Sequence, residues 1–375
     1  MKIVVAPKEQ MTHLHFLQDG FEEIAQKVKY FYPNEHPIIM ADERVAHLYY
    51  KSIQGPFLDL GINPIWILHP SGEGSKSIQG YQRLLELLDR QDIHRRRPII
   101  ALGGGVTGDL VGFVAATMLR GMPLIQVPTT LLSMIDSSIG GKVAINTPLG
   151  KNRAGAFYPP EHVFFALEFL QTLEAADLHS GFGELLKHAI LDGEEHFAWL
   201  RRNVLNCCSE KTVLEREDLL TLLQEEMIKK SLAVKQRIVE EDPFEKGRRA
   251  LLNLGHTVGH AIEGVLGMGK GWSHGGCVAL GLLAELSWSV EHLGLCSSEI
   301  DRIEQTMIRL GMNTQVPNIS RAELLAFMNS DKKRTVNHLR FVGMADFGEA
   351  KVVELPIQKG SELLNHLERW IIRAP

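Results

Sequence analysis

The chain has little cysteine and no long apolar run. Only four of its 375 residues are cysteine, and none of them forms a C-x-x-C pair. Adjacent Cys207 and Cys208 are poorly placed for a structural disulfide. The apolar run after Met1 is too short for a secretory signal, and no run reaches membrane-spanning length. These absences predict a reduced, cytoplasmic protein with no membrane partner.

An excess of positive charge is also lacking. The formal net charge is -5 and the isoelectric point is about 6.4, whereas a nucleic-acid-binding protein would show a basic surface. The hydrophobic fraction of 45% and the charged fraction of 23% are those of a globular protein. The length exceeds that of one ordinary domain, so we expect two domains that share a cleft and no nucleic-acid partner.

The hydrophobic pattern changes near the middle of the chain. The first part alternates short β-branched runs with helical spacing, which predicts a parallel α/β sheet. From about Leu173 onward, long periodic segments predict helices. The predicted strands are Pro37–Ala41, Pro64–Leu68, Pro98–Leu102 and Leu124–Val127. The predicted helices are Arg44–Ile53, Ser77–Asp89, Leu110–Leu119, Phe182–Leu191, Glu217–Val239, Arg248–Leu266, Cys277–Leu293, Ser298–Leu310 and Arg321–Met328.

These patterns define the expected fold class. We predict an α/β, Rossmann-like nucleotide-binding domain over residues 1–170. We predict a mostly α-helical domain over residues 171–375, which would bind metal and substrate.

A glycine-rich loop follows the third predicted strand. Gly103, Gly104, Gly105 and Gly108 give the spacing G-x-G-x-x-G between a strand and a helix. Such glycines let the backbone approach a pyrophosphate, and the helix N-terminus donates N–H groups to it. The acid at a strand end, Asp42, comes before this loop, so the order differs from the usual dinucleotide fingerprint. A plain tight turn is the alternative.

Other polar residues follow predicted strand ends, where α/β sheets bind ligands. Glu73 and Lys76 lie in a loop that could hold ribose or adenine, or could be a polar surface turn. Lys142 and Lys151 lie on glycine-flanked segments that we interpret as anion-binding loops. The spacing of a Walker loop is absent from the sequence.

Three histidines indicate a metal site in the second part of the chain. His256 and His260 are four residues apart and would share one face of a helix, and His274 follows in the next turn. Catalytic zinc usually takes three protein ligands, and a carboxylate such as Glu184 is a common third one. Two solvated or capped histidines are the alternative.

A polar stripe extends this histidine pair. Arg249, Asn253, His256 and His260 are spaced by four, three and four residues, so on one helix they would form a single line. A packed helix would be apolar there, so the stripe predicts a lined cavity.

Together these motifs resemble the 3-dehydroquinate synthase family of sugar-phosphate cyclases, from about Asp42 to Phe341. The matching segments are Ala101–Lys142, Pro148–Asn152, Gly155–Phe157, Ser180–Lys187, Lys235 with Asp242, Gly247–His260, His274–Gly275 and Asp331–Lys333. The resemblance implies a lyase that uses NAD and a divalent metal, usually Zn²⁺, with Co²⁺ possible. Its substrate would be the phosphorylated seven-carbon acid 3-deoxy-D-arabino-heptulosonate 7-phosphate, converted to 3-dehydroquinate and phosphate in the shikimate pathway. It also implies a homodimer.

The resemblance assigns roles to individual residues. The implied metal ligands are Glu184, His256 and His274, which leaves His260 to face the substrate phosphate; spacing alone would have paired His256 with His260. The implied catalytic and substrate-binding residues are Arg120, Asp136, Lys142, Asn152, Lys187, Lys235, Arg249, Asn253, His260 and one of Lys332 and Lys333. Arg120 would reach the phosphate site of a neighbouring subunit. The implied cofactor contacts are Asp42, Glu73, Lys76, Gly103, Gly104, Gly105, Asp109, Thr129, Thr130, Lys151, Phe169 and Thr172.

One position departs from the family pattern. The family commonly reads His-Gly-Glu-Ala-Val after its last metal ligand, whereas this chain has Gly276 in place of the glutamate. We expect the loss to loosen the metal site unless another residue supplies the contact. Cys277 is expected to be a small buried residue and not a ligand.

Three other functions remain open at this point. One is a sibling cyclase that acts on a different sugar phosphate. Another is a metal-dependent polyol dehydrogenase, which would release NADH and would not need so many anion-binding lysines. The third, motivated by Gly276, is a catalytically weakened member of the same family. Arg249, Lys235 and the Lys332–Lys333 pair favour a substrate that carries a carboxylate.

Overall fold

A computed structural model of the chain describes residues 11–267, 272–317, 319–330 and 338–371. The backbone divides into two compact units, Met1–Thr172 and Leu173–Pro375. Lys332 and Lys333 lie outside the described residues, so their predicted roles have no structural counterpart here.

The first unit is built on a parallel sheet. Its strand order is β1-β8-β5-β4-β2-β3, and every pairing in it is parallel. A separate antiparallel hairpin pairs β6 with β7. The strands are β1 His13–Phe16, β2 Ile38–Asp42, β3 Ile65–His69, β4 Ile99–Gly103, β5 Leu124–Pro128, β6 Lys142–Thr147, β7 Gly150–Phe157 and β8 His162–Phe165. The helices are α1 Phe21–Phe31, α2 Glu43–Asp59, α3 Ile78–Asp89 and α4 Gly105–Thr117.

The middle of this sheet is buried on both faces. All five residues of β4 and all five of β5 are buried, so these strands are continuous apolar runs without alternation. Helix α4 packs on them through Leu110, Val111 and Val114. The carboxyl ends of β5, β4, β2 and β3 lie side by side in the sheet, and most of the predicted cofactor residues follow these ends.

The structure confirms the four predicted strands, each to within one residue at either end. The interpretation of Lys142 and Lys151 as loop residues is wrong. Lys142 opens β6 opposite Phe157, and Lys151 lies on β7. The exposed residues of β7 outnumber the buried ones, so the segment had no apolar alternation to mark it as a strand.

The second unit is mostly helical. Its described helices are α5 Ala175–Asp192, α6 Glu194–Asn206, α7 Arg216–Leu222, α8 Glu225–Glu241, α9 His256–Leu266, α10 His274–Leu293, α11 Ser297–Arg309, α12 Arg321–Ser330 and α13 Gly360–Asn365. Strands β9 His338–Met344 and β10 Ala350–Pro356 form an antiparallel hairpin. Among the described helices, none is both long enough and apolar enough to cross a membrane.

Two predicted helices of this unit are interrupted. The segment Glu217–Val239 is split between α7 and α8, because Gln224 has an extended backbone (φ -113°, ψ 155°). The segment Arg248–Leu266 is a 3₁₀ helix over Arg248–Asn253 followed by α9. The break is at Gly255, whose φ of 77° is left-handed and favours glycine. Arg249 and Asn253 therefore do not share a helix with His256, and the prediction of one polar stripe is wrong.

In the first unit, the buried His162 of β8 lies beside His15 of the paired strand β1. His162 stacks on Phe31 with ring centroids 4.0 Å apart, and its Nδ1 lies 3.2 Å from Nε2 of His15. Burial, with the neighbouring charges of His15, His13 and Lys27, lowers the pKa of His162 to about 4. The pKa of His15 is lowered for the same reason.

The lowered pKa of His162 makes the folded protein less stable in acid. Because the pKa of His162 is lower in the folded state than the ordinary value of 6.5, the unfolded state binds the proton first, and stability falls from about pH 6.5 to about pH 4. We predict that His162→Phe, which keeps an aromatic ring, flattens the decline of the urea midpoint over this window. The matched control is His94→Gln, at an exposed site of the same unit. An equally steep decline in His162→Phe would contradict the assignment.

Candidate active site

Helix α10 is packed backbone to backbone against two other helices. A Cβ atom on Gly275 would lie 1.8 Å from the Ser180 carbonyl oxygen of α5, and one on Gly281 would lie 1.9 Å from the Gly255 carbonyl oxygen. No larger side chain fits at either crossing. The first residues of α9 and α10, His256 and His274, are thereby brought to Glu184 in the middle of α5.

Glu184 and the three histidines form a compact cluster. Nε2 of His256 and Nε2 of His274 lie 3.6 and 3.7 Å from the same oxygen, Oε1 of Glu184. One nitrogen each from His256, His260 and His274 lies within 4.8 Å of the others. Glu184 is fully buried, and His256 is nearly so.

The donor set fits a divalent metal. Oε1 of Glu184 is buried and accepts no hydrogen bond from the described residues. Nδ1 of His256 faces the Leu254 carbonyl oxygen at 3.2 Å, so its Nε2 is the nitrogen turned toward Glu184. Ligands held 2.0–2.1 Å from a tetrahedral ion lie roughly 3.3–3.4 Å apart, close to the spacings observed here.

A carboxylate that the sequence did not suggest contacts His274. Glu263 on α9 is buried, and its Oε2 lies 3.3 Å from Nδ1 of His274. Metal-ligating histidines commonly donate their second ring N–H to such a carboxylate. Glu263 is therefore placed to orient His274 although Gly276 has no carboxylate. The sequence signal was available, because Glu263 lies seven residues after His256 and so shares its face of the helix.

Glu285 is the second buried carboxylate that the sequence did not identify as functional. It is fully buried and accepts backbone hydrogen bonds from Gly255, Thr257 and Val258 at 2.8–3.1 Å. It thereby satisfies the N-terminus of α9 and fixes the start of the helix that carries His256.

Several predicted substrate residues are buried cations of the second unit. Lys187 is ion-paired with Oε2 of Glu184, and both side chains are essentially buried. Lys235 on α8 and Arg249 in the 3₁₀ helix are 6% and 2% exposed. Cationic side chains are the usual protein contacts of carboxylates and phosphates, so a group of them in this unit suits an anionic ligand.

Asp242 shapes the backbone that holds Arg249. Its carboxylate accepts N–H groups from Lys246, Gly247 and Arg249 at 2.7–3.0 Å. These hydrogen bonds, led by that of Lys246, lower the pKa of the Asp242 carboxyl. The Arg249 guanidinium donates from Nη1 to the Pro243 carbonyl oxygen at 2.5 Å, so its direction is fixed.

Asn253 is placed by a strained neighbour. Its Nδ2 lies 3.4 Å from Oε1 of Glu245, a non-glycine residue with φ of 55°. Such a conformation is unfavourable for glutamate and is commonly retained at functional sites. No motif or spacing in the sequence identified Glu245.

In the first unit, the glycine loop has the form expected for a pyrophosphate site. Gly104 precedes α4 and offers no capping side chain, which leaves the first N–H groups of the helix open to a ligand. A Cβ on Gly104 would lie 3.1 Å from Thr130, and one on Gly105 would lie 3.0 Å from Ser137. The Gly103 carbonyl oxygen accepts the N–H of Thr129 at 3.0 Å.

The other predicted cofactor residues surround this loop. Lys76 Nζ lies 2.5 Å from Asp109 Oδ2, which links the β3 loop to α4. Glu73 accepts from Asn146 Nδ2 at 2.6 Å, and Asn146 Oδ1 accepts the N–H of Asn152 at 2.9 Å. Asn146, which the sequence analysis missed, thus ties the β6–β7 hairpin, with Lys142 and Lys151, to the β3 loop.

The remaining predicted residues of this unit are in different surroundings. Asp42 caps α2 by accepting the N–H of Val45 at 3.0 Å. Asp136 is half-buried in a helical turn, and Arg120 is exposed with φ of 65°. Phe169 is fully buried against Phe21 and Tyr49, a position that also serves the core. Thr172 lies beside the Tyr49 hydroxyl at 2.5 Å.

A second group of possible metal ligands lies at the other end of α10. Atoms of Glu291, His292 and His366 come within 4.8 Å of one another, but Glu291 and His292 are exposed. Exposed groups of this kind are common without an ion, so no metal role follows for them.

Comparison with known proteins first defines the class of fold. The chain superimposes on 2-deoxy-scyllo-inosose synthase, solved with carbaglucose-6-phosphate, NAD⁺ and Co²⁺, with a TM-score of 0.80, 24% identity and 95% and 96% of the two chains covered. It superimposes on 2-epi-5-epi-valiolone synthase from Streptomyces hygroscopicus, solved with NAD⁺ and Zn²⁺, with a TM-score of 0.83, 22% identity and 98% and 99% coverage. The predicted fold class, an α/β Rossmann-like part followed by a helical part, is confirmed.

Sequence comparison then gives the family. The 3-dehydroquinate synthase N-terminal model matches residues 66–180, and the C-terminal model matches residues 181–334. The 3-dehydroquinate synthase of Halalkalibacterium halodurans is 41% identical over 331 residues, which are 88% of each chain. The chain belongs to the 3-dehydroquinate synthase family.

The contact between Glu263 and His274 leads to a prediction. We expect Glu263→Ala to weaken binding of Zn²⁺ or Co²⁺ roughly 10- to 100-fold, because His274 loses the group that orients it. The measurement is competition with a chromophoric chelator. Unchanged affinity would show that Glu263 does not orient the ligand.

The control restores a carboxylate at the family position. Among the residues that the structure describes, a Cβ on Gly276 would meet only Ser273 Oγ, at 3.1 Å. We expect Gly276→Glu to leave the wild-type affinity unchanged, because His274 already has a carboxylate partner, and to recover part of the affinity in the Glu263→Ala background. If Gly276→Glu abolished metal binding, His274 would have to be reconsidered as a ligand.

Proposed function

We propose that this chain converts 3-deoxy-D-arabino-heptulosonate 7-phosphate to 3-dehydroquinate and phosphate, as a carbon–oxygen lyase of the shikimate pathway. Family membership supports this reaction. The structural observation that carries it is the convergence of two imidazole Nε2 atoms on Oε1 of Glu184, which accepts no hydrogen bond from the described residues. This arrangement suits metal-assisted chemistry on an alcohol and its ketone.

The two predicted domains would divide the work. We propose that residues 1–170 bind NAD through the glycine loop, and that residues 171–375 hold a divalent metal through Glu184, His256 and His274. When bound, NAD supplies a reversible hydride acceptor and the metal supplies a Lewis acid. Solved proteins with this fold were crystallised with NAD⁺ and with Co²⁺ or Zn²⁺, which supports both cofactors but not the choice of metal.

Arg249 is proposed to bind the substrate carboxylate. Its guanidinium is buried and already oriented by the Pro243 carbonyl. A guanidinium can form two parallel hydrogen bonds with a carboxylate, and the surrounding apolar protein strengthens them. Asn253 and Lys235 are proposed to complete the polar lining of this site.

The substrate phosphate is proposed to face His260. The His260 ring lies 5.1 Å from that of His256 and 5.6 Å from that of His274, so a group bound beside the metal ligands is within its reach. Lys187, Lys142, Asn152 and one lysine of the 332–333 pair are proposed as further anion contacts. A leaving phosphate is stabilised by such cations as its charge develops.

Other assignments remain proposals of the same kind. Asp136 would contact both cofactor and substrate. Arg120, exposed in a strained turn, would serve the phosphate site of a second subunit in a homodimer. Asp42, Glu73, Lys76, Asp109, Thr129, Thr130, Lys151, Phe169 and Thr172 would contact NAD.

A sibling cyclase on another sugar phosphate is the second candidate, favoured by the likeness to two such synthases in fold. The buried Arg249 argues for the acid substrate. A polyol dehydrogenase would instead release NADH in proportion to substrate.

The central prediction concerns cofactor balance. With the seven-carbon phospho-acid, the purified protein should release one phosphate per substrate, require NAD and accumulate no NADH, because hydride leaves and returns within one turnover. Coupled phosphate detection and absorbance at the NADH band measure both quantities. A chelator should abolish turnover, and added Zn²⁺ or Co²⁺ should restore it. Stoichiometric NADH would instead identify a dehydrogenase.

The carboxylate assignment predicts a selective defect in Arg249→Lys. Lysine cannot reproduce the planar, two-pronged contact of a guanidinium. We therefore expect KM for the acid to rise and kcat to fall, so that kcat/KM decreases by roughly 10-fold or more, which is the effect of losing one charge-assisted hydrogen bond. Binding of NAD, measured by calorimetry, should be unchanged.

The adjacent residue offers a matched control. Arg248 is exposed and pairs with Glu241 at 2.7 Å, so Arg248→Lys should behave as wild type. If Arg249→Lys also behaved as wild type, the carboxylate would bind elsewhere and the sibling cyclase would become the better candidate.

A further inference from the structure

His69 is a buried residue to which none of the proposed roles extends. It is the last residue of β3, lies opposite Asp42 of β2 in the sheet register, and is 2% exposed. Its Nδ1 lies 2.9 Å from the Pro70 carbonyl oxygen, and its Nε2 lies 3.1 Å from Oγ1 of Thr107. The side chain therefore reaches past β2 to helix α4.

The two contacts fix the tautomer of the ring. A carbonyl oxygen can only accept, so Nδ1 carries the proton that bonds Pro70. Burial lowers the pKa of His69, against the opposing effects of the Pro70 hydrogen bond and the Asp42 and Glu43 charges, so the ring is neutral. Nε2 is then an acceptor, and the Thr107 hydroxyl donates to it.

Thr107 in turn packs on the first glycine of the loop. A Cβ on Gly103 would lie 2.5 Å from Oγ1 and 2.7 Å from Cβ of Thr107. The threonine side chain thus covers the Gly103 α-carbon, and any rotation about its χ1 would move atoms against that glycine. A helical threonine can otherwise turn its hydroxyl to a carbonyl of the preceding turn. The hydrogen bond to His69 selects one rotamer.

We propose that His69 is a positioning residue for the dinucleotide site, which acts through Thr107 to hold Gly103, Gly104 and the first N–H groups of α4 in the geometry that receives a pyrophosphate. This inference rests on the proposed binding of NAD. It adds a residue from a strand that is not adjacent to β4, and it links the ends of β3 and β4 across β2.

The test is a double-mutant cycle on NAD affinity, measured by calorimetry without substrate. Thr107→Val and His69→Met each remove one partner of the hydrogen bond while keeping most of the volume. We expect each to weaken NAD binding by about 3- to 10-fold, the range of one net hydrogen bond. The double variant should bind NAD no more weakly than the single variant with the lower affinity, because the same hydrogen bond is lost only once.

Two further measurements separate positioning from general stability. Affinity for ADP-ribose, which shares the pyrophosphate but lacks nicotinamide, should fall by the same factor. Amide hydrogen exchange over residues 103–108 should be faster in both single variants, and this readout needs no bound cofactor. His69→Gln, which can present an acceptor near the Nε2 position, should restore affinity relative to His69→Met.

Thr117→Val is the matched control on the same helix. Its hydroxyl contacts Tyr81 and the Phe113 carbonyl at 2.8 and 2.9 Å, away from the glycine loop, so NAD affinity should be unchanged.

If wild type failed to bind NAD, the proposed function itself would be wrong. If wild type bound NAD and both single variants bound it equally well, or if their effects multiplied in the double variant, the role of His69 would be refuted. Should His69→Met fold poorly, the comparison of His69→Gln with Thr107→Val tests the same hydrogen bond, because only the second variant removes it.

Discussion

The close contact of three helix backbones governs the second unit. Helix α10 touches α5 at Gly275 and α9 at Gly281, at distances that leave no room for a side chain. Glu184, His256 and His274 project from these three helices, so their mutual distances are set by backbone packing and not by flexible loops. Rigid helical positions of this kind hold ligands to the accuracy that metal coordination demands.

The sequence predicted β2, β3, β4 and β5 but missed β1 and β8. The central strands β4 and β5 were predictable because they are buried on both faces. Such strands are uninterrupted apolar runs, and their ends are marked by proline or glycine, as at Pro98 and Gly103. It failed for β7, whose residues are mostly exposed and lack the alternation of a half-buried strand. It also failed at Gly255, because glycine near the middle of a helical pattern can be tolerated or can end a helix, and only the packing on α10 decides.

The candidate site was predictable where chemistry restricts the residue type. Glycines before a helix and histidines four residues apart are informative in themselves. Carboxylates that act on other protein groups are not, because their partners come from distant parts of the chain. Glu263 reaches His274, 11 residues away on another helix, and Glu285 reaches the N-terminus of α9 across a separation of 27–30 residues. The contact between His69 and Thr107 could not be predicted for the same reason, because the two residues are 38 positions apart in the sequence.

The positions of His256 and His274 as the first residues of their helices also affect electrostatics. A helix N-terminus carries roughly half a positive charge, which opposes a cation placed beside it. At α9 the buried carboxylate of Glu285 offsets this charge, whereas at α10 the cap is the neutral hydroxyl of Ser273. An anion bound next to the cation would be attracted by this dipole and also by the cation itself. The attraction between the two bound ions couples their binding, so metal and phosphorylated substrate should bind with positive cooperativity, each increasing the affinity of the site for the other by the same factor.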